Sequence, residues 1–172
     1  MAIAPLLIRA DATAQMGTGH VMRCLALAQA WQDSGGAVAF GAAALPAPLE
    51  ARLHAEGVAV HLLTVVAGTV EDAAQTAALA GQMGAEWVVI DGYQFGAEYQ
   101  RALKAAGLRV LAMDDYGHVE HYYADVVVNQ NIYADESLYP HREPSTRLLL
   151  GTQYALLRRE FWPWRDWQRE IP

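Results

Sequence analysis

Strand-like and helix-like segments alternate along almost the whole chain, and this alternation limits the possible folds more than any other feature. Strands that alternate with helices over short connections form right-handed βαβ units in a doubly wound, mainly parallel sheet. The apolar run at residues 87–90 agrees, because strands of a parallel sheet are covered on both faces. The sequence therefore predicts an α/β, Rossmann-like fold. The predicted strands are Ile3–Arg9, Gly36–Phe40, Val58–Leu63, Glu86–Ile90, Leu108–Met113, Asp125–Val128 and Leu148–Leu150, and the predicted helices are Gly19–Ser34, Pro48–Glu56, Thr69–Met83 and Ala97–Ala106.

Length and composition indicate one well-packed domain. With 172 residues, 53% of them hydrophobic and 18% charged, the chain can bury a core of its own. We assign residues 1–160 to the Rossmann-like domain and residues 161–172 to a C-terminal tail rich in tryptophan. This tail is either a helix that docks its aromatic face on the core or a surface that meets a second domain or subunit, where large aromatic residues are enriched.

Charge and cysteine content exclude several classes of protein. The net charge of −7 argues against general nucleic-acid binding, which requires concentrated positive charge. No apolar stretch approaches the roughly 20 residues of a membrane span, and no secretory signal peptide is evident. The single cysteine, Cys24, lies among apolar residues of a predicted helix, which favours a buried thiol in a reducing compartment. We therefore expect a soluble, cytoplasmic protein.

Polar side chains follow several of the predicted strands at their carboxyl ends. In doubly wound sheets, ligands bind beyond these ends. Because the carboxyl ends of parallel strands share one edge of the sheet, these residues predict a binding site there. They are Arg9 and Asp11, Asp91 and Tyr93, Asp114 and Asp115, and Asn129 and Asn131.

A glycine-spaced loop, Gly17-Thr18-Gly19, joins the first predicted strand to the first helix. A dinucleotide-binding fingerprint would have a third glycine three residues after Gly19, where Met22 stands instead. The second strand also lacks the acidic residue that binds a ribose, and no Gly-Lys-Ser/Thr of a phosphate-binding loop follows. The loop therefore indicates neither kind of nucleotide site.

His20 stands where this helix begins, at the edge where a ligand is expected. The positive end of the helix dipole disfavours the charged imidazolium. A neutral imidazole can accept a proton near pH 7, so His20 is a candidate general base. The alternative is a histidine that only forms hydrogen bonds in the turn, and its position alone does not separate the two.

His118 and His121, close in sequence to Asp114 and Asp115, raise the alternative of a metal site. Their spacing is not that of a defined zinc motif, and they fall in a predicted loop. Solvated loop polarity is the simpler interpretation, and we predict no metal.

Six segments of the chain, in this order, are similar to the motifs of one enzyme family. They are Arg-Ala-Asp-Ala at 9–12, Gly-Thr-Gly-His-Val-Met-Arg-Cys-Leu at 17–25, Val-Ile-Asp-Gly-Tyr at 89–93, Asp-Asp at 114–115, Val-Asn-Gln-Asn at 128–131 and Gly-Thr-Gln-Tyr-Ala-Leu-Leu-Arg-Arg-Glu-Phe at 151–161. The chain thus resembles the PseG family, the UDP-2,4-diacetamido-2,4,6-trideoxy-β-L-altropyranose hydrolases of pseudaminic acid biosynthesis. This family is related to spore-coat polysaccharide proteins.

The resemblance implies the N-terminal half of a GT-B architecture, in which two Rossmann-like domains face a cleft, as in the glycosyltransferase MurG. It implies hydrolysis of a UDP-linked amino sugar at the anomeric carbon, with inversion and without a cofactor. Uridine-diphosphate recognition is implied to reside in a C-terminal nucleotide-binding domain that this chain does not include. The partners expected from the resemblance are therefore the UDP-sugar and that missing domain.

The resemblance also implies roles for individual residues. His20 is implied as the base that activates water, and Tyr93 as a residue that lines the sugar site. Arg9 and Asp11 are implied to shape the floor of the same site. Gly92 stands where the family often has a bulkier polar residue. The remaining expected substrate-binding residues are Gly17, Gly19 and Asn129.

Two other functions stay open at this point. The chain could be half of a GT-B sugar transferase that uses a different acceptor. It could also be a non-catalytic sugar-binding or assembly module that lacks the UDP site and pairs through its tryptophan-rich end.

Overall fold

The computed structural model describes residues 3–168, which fold into a sheet of seven parallel strands flanked by four helices. The strands are β1 (Leu6–Ala10), β2 (Val38–Ala42), β3 (Ala59–Leu62), β4 (Trp87–Asp91), β5 (Arg109–Met113), β6 (Val126–Asn129) and β7 (Arg147–Leu150). The helices are α1 (Gly19–Asp33), α2 (Ala47–Ala55), α3 (Val70–Met83) and α4 (Ala97–Ala105). The predicted α/β, Rossmann-like fold is confirmed, and every predicted strand and helix is present with its ends shifted by a few residues.

The order of the strands is β3-β2-β1-β4-β5-β6-β7, so the chain winds in one direction from β1 to β3 and in the other from β4 to β7. The reversal falls between β1 and β4, which pair directly, with Ala10 opposite Asp91 at their carboxyl ends. Doubly wound sheets bind their ligands in the crevice at such a switch point. The topology therefore predicts a ligand-binding crevice between the loops that follow β1 and β4.

β2 begins at Val38 rather than at the predicted Gly36, and the packing of α1 explains the shift. A Cβ atom at Gly36 would lie 2.3 Å from Nε1 of Trp31, so the indole occupies the space that a side chain would need. Gly36 therefore stays in the turn after α1. Pairing starts where Leu6 faces Val38.

Apolar side chains fill both faces of the sheet. On one face, Leu25 of α1 and Leu53 of α2 pack with Phe40 of β2. On the other face, residues of α3 and α4, including Tyr99 and Leu103, pack against the opposite sides of the strands. Burial of apolar surface on both sides holds the strands rigidly, and with them the loops at their carboxyl ends.

The described part of the predicted tail, residues 161–168, contains no α-helix. A short 3-10 helix spans Arg159–Trp164 instead, and it contains Pro163, which has no N–H to donate. The side chains of Trp162, Trp164 and Trp167 are 48%, 63% and 62% exposed. The interpretation as a surface for a second domain or subunit stays a prediction. Met1 and Ala2 of the predicted domain and residues 169–172 of the predicted tail lie outside the described residues.

Within residues 3–168, no helix is long and apolar enough to cross a membrane.

Candidate active site

The candidate site lies at the carboxyl edge of the sheet, around the switch point between β1 and β4. An arginine of α1, missed as a site residue by sequence reasoning, is at its centre. Arg23 donates from Nε and Nη2 to the two carboxylate oxygens of Asp91, at 2.6 and 2.7 Å, and from Nη1 to Oδ1 of Asp115 at 2.7 Å. Paired N–H groups match a carboxylate geometrically as well as electrostatically. Arg23 thus fixes α1 against the ends of β4 and β5.

Arg23 also determines the charge of the site. Burial opposes ionisation of Asp115, but the hydrogen bond and the positive charge of Arg23 outweigh it, so the pKa of Asp115 lies below its usual value. Burial also opposes the charge on Arg23, and the two aspartates overcome it and raise the pKa of the guanidinium. Arg23 and Asp115 are therefore both charged at neutral pH.

His20 lies in the first turn of α1, beside this network, and its side chain is only 11% exposed. Nε2 lies 3.9 Å from Oδ1 of Asp91, and Nδ1 is buried without a hydrogen-bond partner among the described residues. The sequence argument placed the imidazole in the field of the helix N-terminus alone. The structure adds a carboxylate facing it, which can stabilise the positive charge that the imidazole acquires with a proton.

Tyr93 lies between His20 and the aromatic residues of the loop that follows β5. Its ring contacts the ring of His20 edge-on, with centroids 5.3 Å apart, and that of His118 in the same way at 5.3 Å. Tyr116 lies on a third side, at 5.4 Å. The hydroxyl donates to Oδ2 of Asp115 at 3.1 Å, and the side chain of Tyr93 remains largely accessible. Burial, and then the nearby Asp115 carboxylate, raise the pKa of Tyr93, so its hydroxyl keeps its proton.

Arg9 and Asp11 lie beneath this surface rather than on it. Arg9 is fully buried and donates to both oxygens of Asp72 in α3, at 2.9 and 3.0 Å, and to Asp11 at 2.7 Å. Asp11 also accepts hydrogen bonds from the backbone N–H groups of Ala43 and Ala44. These contacts tie the end of β1 to α3 and to the loop after β2. Direct contact of Arg9 or Asp11 with a substrate stays a prediction.

Asn129 is likewise buried, at the end of β6. Its Nδ2 donates to the backbone oxygen of Asp115 and to the Tyr139 hydroxyl, each at 2.9 Å. Its Oδ1 accepts from Asn131, whose own Nδ2 donates to Oδ1 of Asp115 at 3.0 Å. Asn129 therefore orients Asp115 from behind, and its contact with a substrate is untested.

The glycine loop leaves the start of α1 open. Gly17 has φ of +80°, a left-handed conformation that glycine adopts at low cost, and its N–H donates to the Thr13 oxygen at 2.8 Å. A Cβ atom at Gly19 would meet no atom within 4 Å. No side chain caps the helix, so backbone N–H groups of its first turn face the site.

Asp114, the neighbour of Asp115, is buried and supports the aromatic cluster. It accepts hydrogen bonds from the N–H groups of Tyr116 and Gly117, at 2.7 and 2.6 Å, and from the Tyr122 hydroxyl at 2.5 Å. Nδ1 of His118 lies 2.9 Å from Oδ2 of Asp114, off the ideal hydrogen-bond direction. Burial opposes ionisation, yet these partners hold the pKa of Asp114 well below its usual range.

The two histidines of this loop are not brought together. His118 faces Asp114, whereas Nε2 of His121 lies 2.8 Å from Oε1 of Glu143. In the part of the chain that the structure describes, no group of three or more His, Cys, Asp and Glu side chains could hold a metal ion.

Cys24 is a buried thiol, as predicted. Its Sγ lies 3.3 Å from Oδ2 of Asp91, and burial raises the thiol pKa well above its usual value. A thiol that stays protonated is a poor nucleophile. Cys24 therefore packs the base of α1 against β4.

Gly92 lies where a side chain would collide with that of Gln94. Its φ is +153°, and a Cβ atom there would lie 2.7 Å from Oε1 of Gln94. The Gln94 side chain thus occupies the space beside Gly92, and its Nε2 donates to Oδ2 of Asp11 at 3.1 Å.

Solved structures that superpose on this chain include GT-B glycosyltransferases. MurG of Acinetobacter baumannii superposes with a TM-score of 0.57 at 18% sequence identity, over 99% of this chain and 50% of MurG. The Anabaena protein HepE, solved in complex with UDP-glucose, gives 0.61 at 13% identity, over 84% of this chain and 43% of HepE. A glycosyltransferase from Rickettsia africae gives 0.59 at 12% identity. At these identities the comparison shows the fold.

In sequence, the chain is 29% identical over 160 residues to the UDP-2,4-diacetamido-2,4,6-trideoxy-β-L-altropyranose hydrolase of Campylobacter jejuni. The match confirms the resemblance inferred from the motifs. It covers 91% of this chain but 53% of the relative, so the chain spans about half the length of the protein that it resembles. No protein-family model matches the chain.

Proposed function

We propose that this chain is the N-terminal half of a UDP-sugar hydrolase, with His20 as the general base. The proposed substrate is a UDP-linked diacetamido-trideoxy sugar of pseudaminic acid or surface polysaccharide biosynthesis. The observation that supports it most is the position of His20 at the switch-point crevice, between the Asp91 carboxylate and the exposed Tyr93. The similarity to the Campylobacter jejuni hydrolase over nearly the whole chain supports the same assignment.

In this proposal, water attacks the anomeric carbon while its proton passes to the imidazole of His20. The bond between the anomeric carbon and the diphosphate oxygen breaks, and its electron pair leaves with UDP. Attack from the face opposite the leaving group inverts the configuration, and this geometry requires room for one water between base and carbon. Asp91, 3.9 Å from the imidazole, stabilises the imidazolium that forms.

The remaining predicted residues divide into two groups. Tyr93 and the open backbone at Gly17 and Gly19 form the surface that the sugar meets. Arg9, Asp11 and Asn129 are buried and act through the residues that they hold.

The UDP moiety is proposed to bind a second, C-terminal domain. The Asp115 carboxylate is accessible at this edge and negatively charged at neutral pH, so it repels a diphosphate. Tyrosine, amide and carboxylate groups suit the neutral sugar instead. No cofactor or metal is required in this proposal.

The proposal is tested by His20→Gln, which keeps a polar side chain but cannot act as a base near neutral pH. We expect UDP release from the nucleotide sugar to fall by about 100-fold or more, the usual range for loss of a general base. The control is Gln82→Asn, a conservative change at an exposed position near the C-terminal end of α3, at the opposite, amino edge of the sheet. Retained turnover in His20→Gln with an unchanged far-UV spectrum would end the proposal.

A transferase is the second candidate, favoured by glycosyltransferases among the structural neighbours. A UDP-release assay with water as the sole acceptor separates the two, because a transferase needs another hydroxyl compound. A non-catalytic sugar-binding or assembly module is the third, favoured by the exposed tryptophans of the tail. Micromolar UDP binding by the 172-residue chain in calorimetry would contradict a UDP site in another domain.

A further inference from the structure

Four carboxylates lie at the carboxyl edge of the sheet, and they differ sharply in their access to solvent. The side chains of Asp91 and Asp114 are 0% exposed, and that of Asp11 is 2% exposed. The side chain of Asp115 is 20% exposed. Of these four, Asp115 is therefore the carboxylate that a ligand can reach.

The hydrogen bonds of Asp115 leave one acceptor position open on the accessible side. Each carboxylate oxygen can accept two hydrogen bonds. Oδ1 accepts from Nη1 of Arg23 and from Nδ2 of Asn131, which fills it. Oδ2 accepts from the Tyr93 hydroxyl, a hydrogen bond at the protein surface. Within residues 3–168, the second position on Oδ2 has no donor.

The charge of Asp115 selects the kind of group that can fill this position. Its pKa is below the usual value, because Arg23 outweighs the cost of burial, so the side chain is an acceptor without a proton to donate at neutral pH. A phosphate is repelled, whereas a neutral N–H or O–H donor forms a strong, charge-assisted hydrogen bond.

Two exposed tyrosines lie next to the open acceptor. Tyr93 and Tyr116 are 49% and 52% exposed, and their ring centroids are 5.4 Å apart. His118 lies edge-on or tilted against both rings, at 5.3 and 5.5 Å, and limits their movement. The pair forms an aromatic surface on which the C–H groups of a sugar ring can pack.

We propose that Asp115 determines sugar specificity by accepting a hydrogen bond from a substituent of the sugar, which packs on Tyr93 and Tyr116. The inference rests on the proposed function and adds the contact that recognises the sugar. A diacetamido-trideoxy sugar offers two kinds of donor, the acetamido N–H groups and the ring hydroxyl. Either would fill the open position on Oδ2.

The test is Asp115→Asn, an isosteric change. Arg23 and Asn131 both donate toward Oδ1, so they orient the new amide with its oxygen facing them and its NH2 group in place of Oδ2. The Tyr93 hydroxyl can rotate and accept from that NH2, but a donor on the sugar now meets another donor. We expect kcat/KM for the UDP-linked diacetamido sugar to fall about 10- to 100-fold, the range for a hydrogen bond to a charged group.

Two substrate analogues identify the donor. One has acetoxy groups in place of the acetamido groups and lacks the N–H, and the other is 3-deoxy and lacks the hydroxyl. With the analogue that lacks the donor, kcat/KM of the unchanged protein falls. For that analogue, Asp115→Asn lowers kcat/KM by less than about a further 3-fold, because the hydrogen bond is already absent. An equal loss with all three substrates would show that Asp115 only holds Arg23 and Tyr93, and would overturn the inference.

A matched control and a binding measurement complete the design. Asp135→Asn removes the same charge at an exposed residue whose side chain caps Ser137, a role that asparagine performs equally well, and turnover should not change. NMR titration of the chain with the free diacetamido sugar tests recognition without hydrolysis. Binding that is lost in Asp115→Asn supports the inference even if UDP-sugar hydrolysis is absent. If the protein with Asp115 neither binds nor hydrolyses the sugar, the inference fails together with the proposed function.

Discussion

At the scale of single residues, the polar side chains at the carboxyl edge of the sheet form two groups. Some are buried and support the site, and others are accessible to a ligand. Sequence reasoning placed Arg9, Asp11 and Asn129 in one group of substrate-binding residues with Tyr93 and the loop glycines Gly17 and Gly19. The structure buries the first three and leaves Tyr93 accessible. The partner of Arg9 is Asp72, 63 positions away in the sequence, and no local pattern connects the two. The division was therefore not predictable from residue types at strand ends.

The buried pair of Arg9 and Asp72 is expected to contribute strongly to stability. Asp72→Asn removes the carboxylate that accepts two hydrogen bonds from the fully buried Arg9 guanidinium and leaves Asp11 as its charged partner. We expect a loss of about 3 kcal/mol of unfolding free energy, the lower end of the range for breaking one side of a buried ion pair, because Asp11 still offsets the charge. Urea denaturation followed by circular dichroism measures the change.

The control for this variant is Glu98→Gln, which breaks the exposed pair of Glu98 and Arg101 on α4. Its unfolding free energy should stay within about 0.5 kcal/mol of the unchanged protein. Equal midpoints for the two variants would contradict a stabilising role for the buried pair.

At the scale of elements, the strands and helices were predicted correctly because local patterns determine them, whereas the path of the tail depends on contacts between residues far apart in the sequence. α1 begins at Gly19 as predicted, because the glycine loop and the apolar periodicity after it are local signals. The tail has aromatic residues but no such periodicity, and Pro163 interrupts it. The path of the tail depends on a contact with α1, and the residues of α1 are far from the tail in the sequence.

That contact is made by Arg159, which lies at the C-terminal end of α1. Its Nη2 donates to the backbone oxygen of Gln29 at 3.1 Å and to Oδ1 of Asp33 at 2.6 Å. The last turn of α1 has no basic residue of its own, so Arg159 supplies the cation that a helix C-terminus favours.

Arg159→Ala should release the tail from α1. We expect amide exchange to become faster at residues 155–165, while exchange in the sheet stays unchanged. Hydrogen exchange followed by mass spectrometry measures both regions. Arg165→Ala is the matched control, because the Arg165 side chain forms no ion pair or hydrogen bond in the described part of the chain. Equal rates of amide exchange at residues 155–165 in the two variants would contradict this role of Arg159.

At the scale of the whole molecule, the carboxylates of the site make the stability of the fold depend on pH. Asp114 and Asp115 have folded-state pKa values below those of unfolded aspartate, so they stabilise the fold above the unfolded value of about 3.9. As pH falls below this value, the unfolded state binds protons that the folded state does not. Stability is therefore lost progressively in acid.

We expect these two carboxylates to make the unfolding free energy decline below about pH 4. Asp114→Asn should be less stable at pH 7 and should show a shallower decline in acid, because one of the coupled carboxylates is gone. Urea titrations at intervals between pH 7 and 3 give both quantities. If the unfolding free energy of Asp114→Asn falls with decreasing pH as steeply as that of the unchanged protein, this carboxylate is not a source of the acid sensitivity.

The sequence by itself determined the fold class, the order of the strands and helices, and the edge of the sheet where polar residues gather. These depend on hydrophobic periodicity and on turn residues, which are local. Only the tertiary structure decided which polar residues reach solvent, that Arg23 joins Asp91 to Asp115, and that Asp115 keeps an open acceptor position. The reason is that burial and ion pairing are set by residues from different strands and helices, which become neighbours only after the sheet has formed.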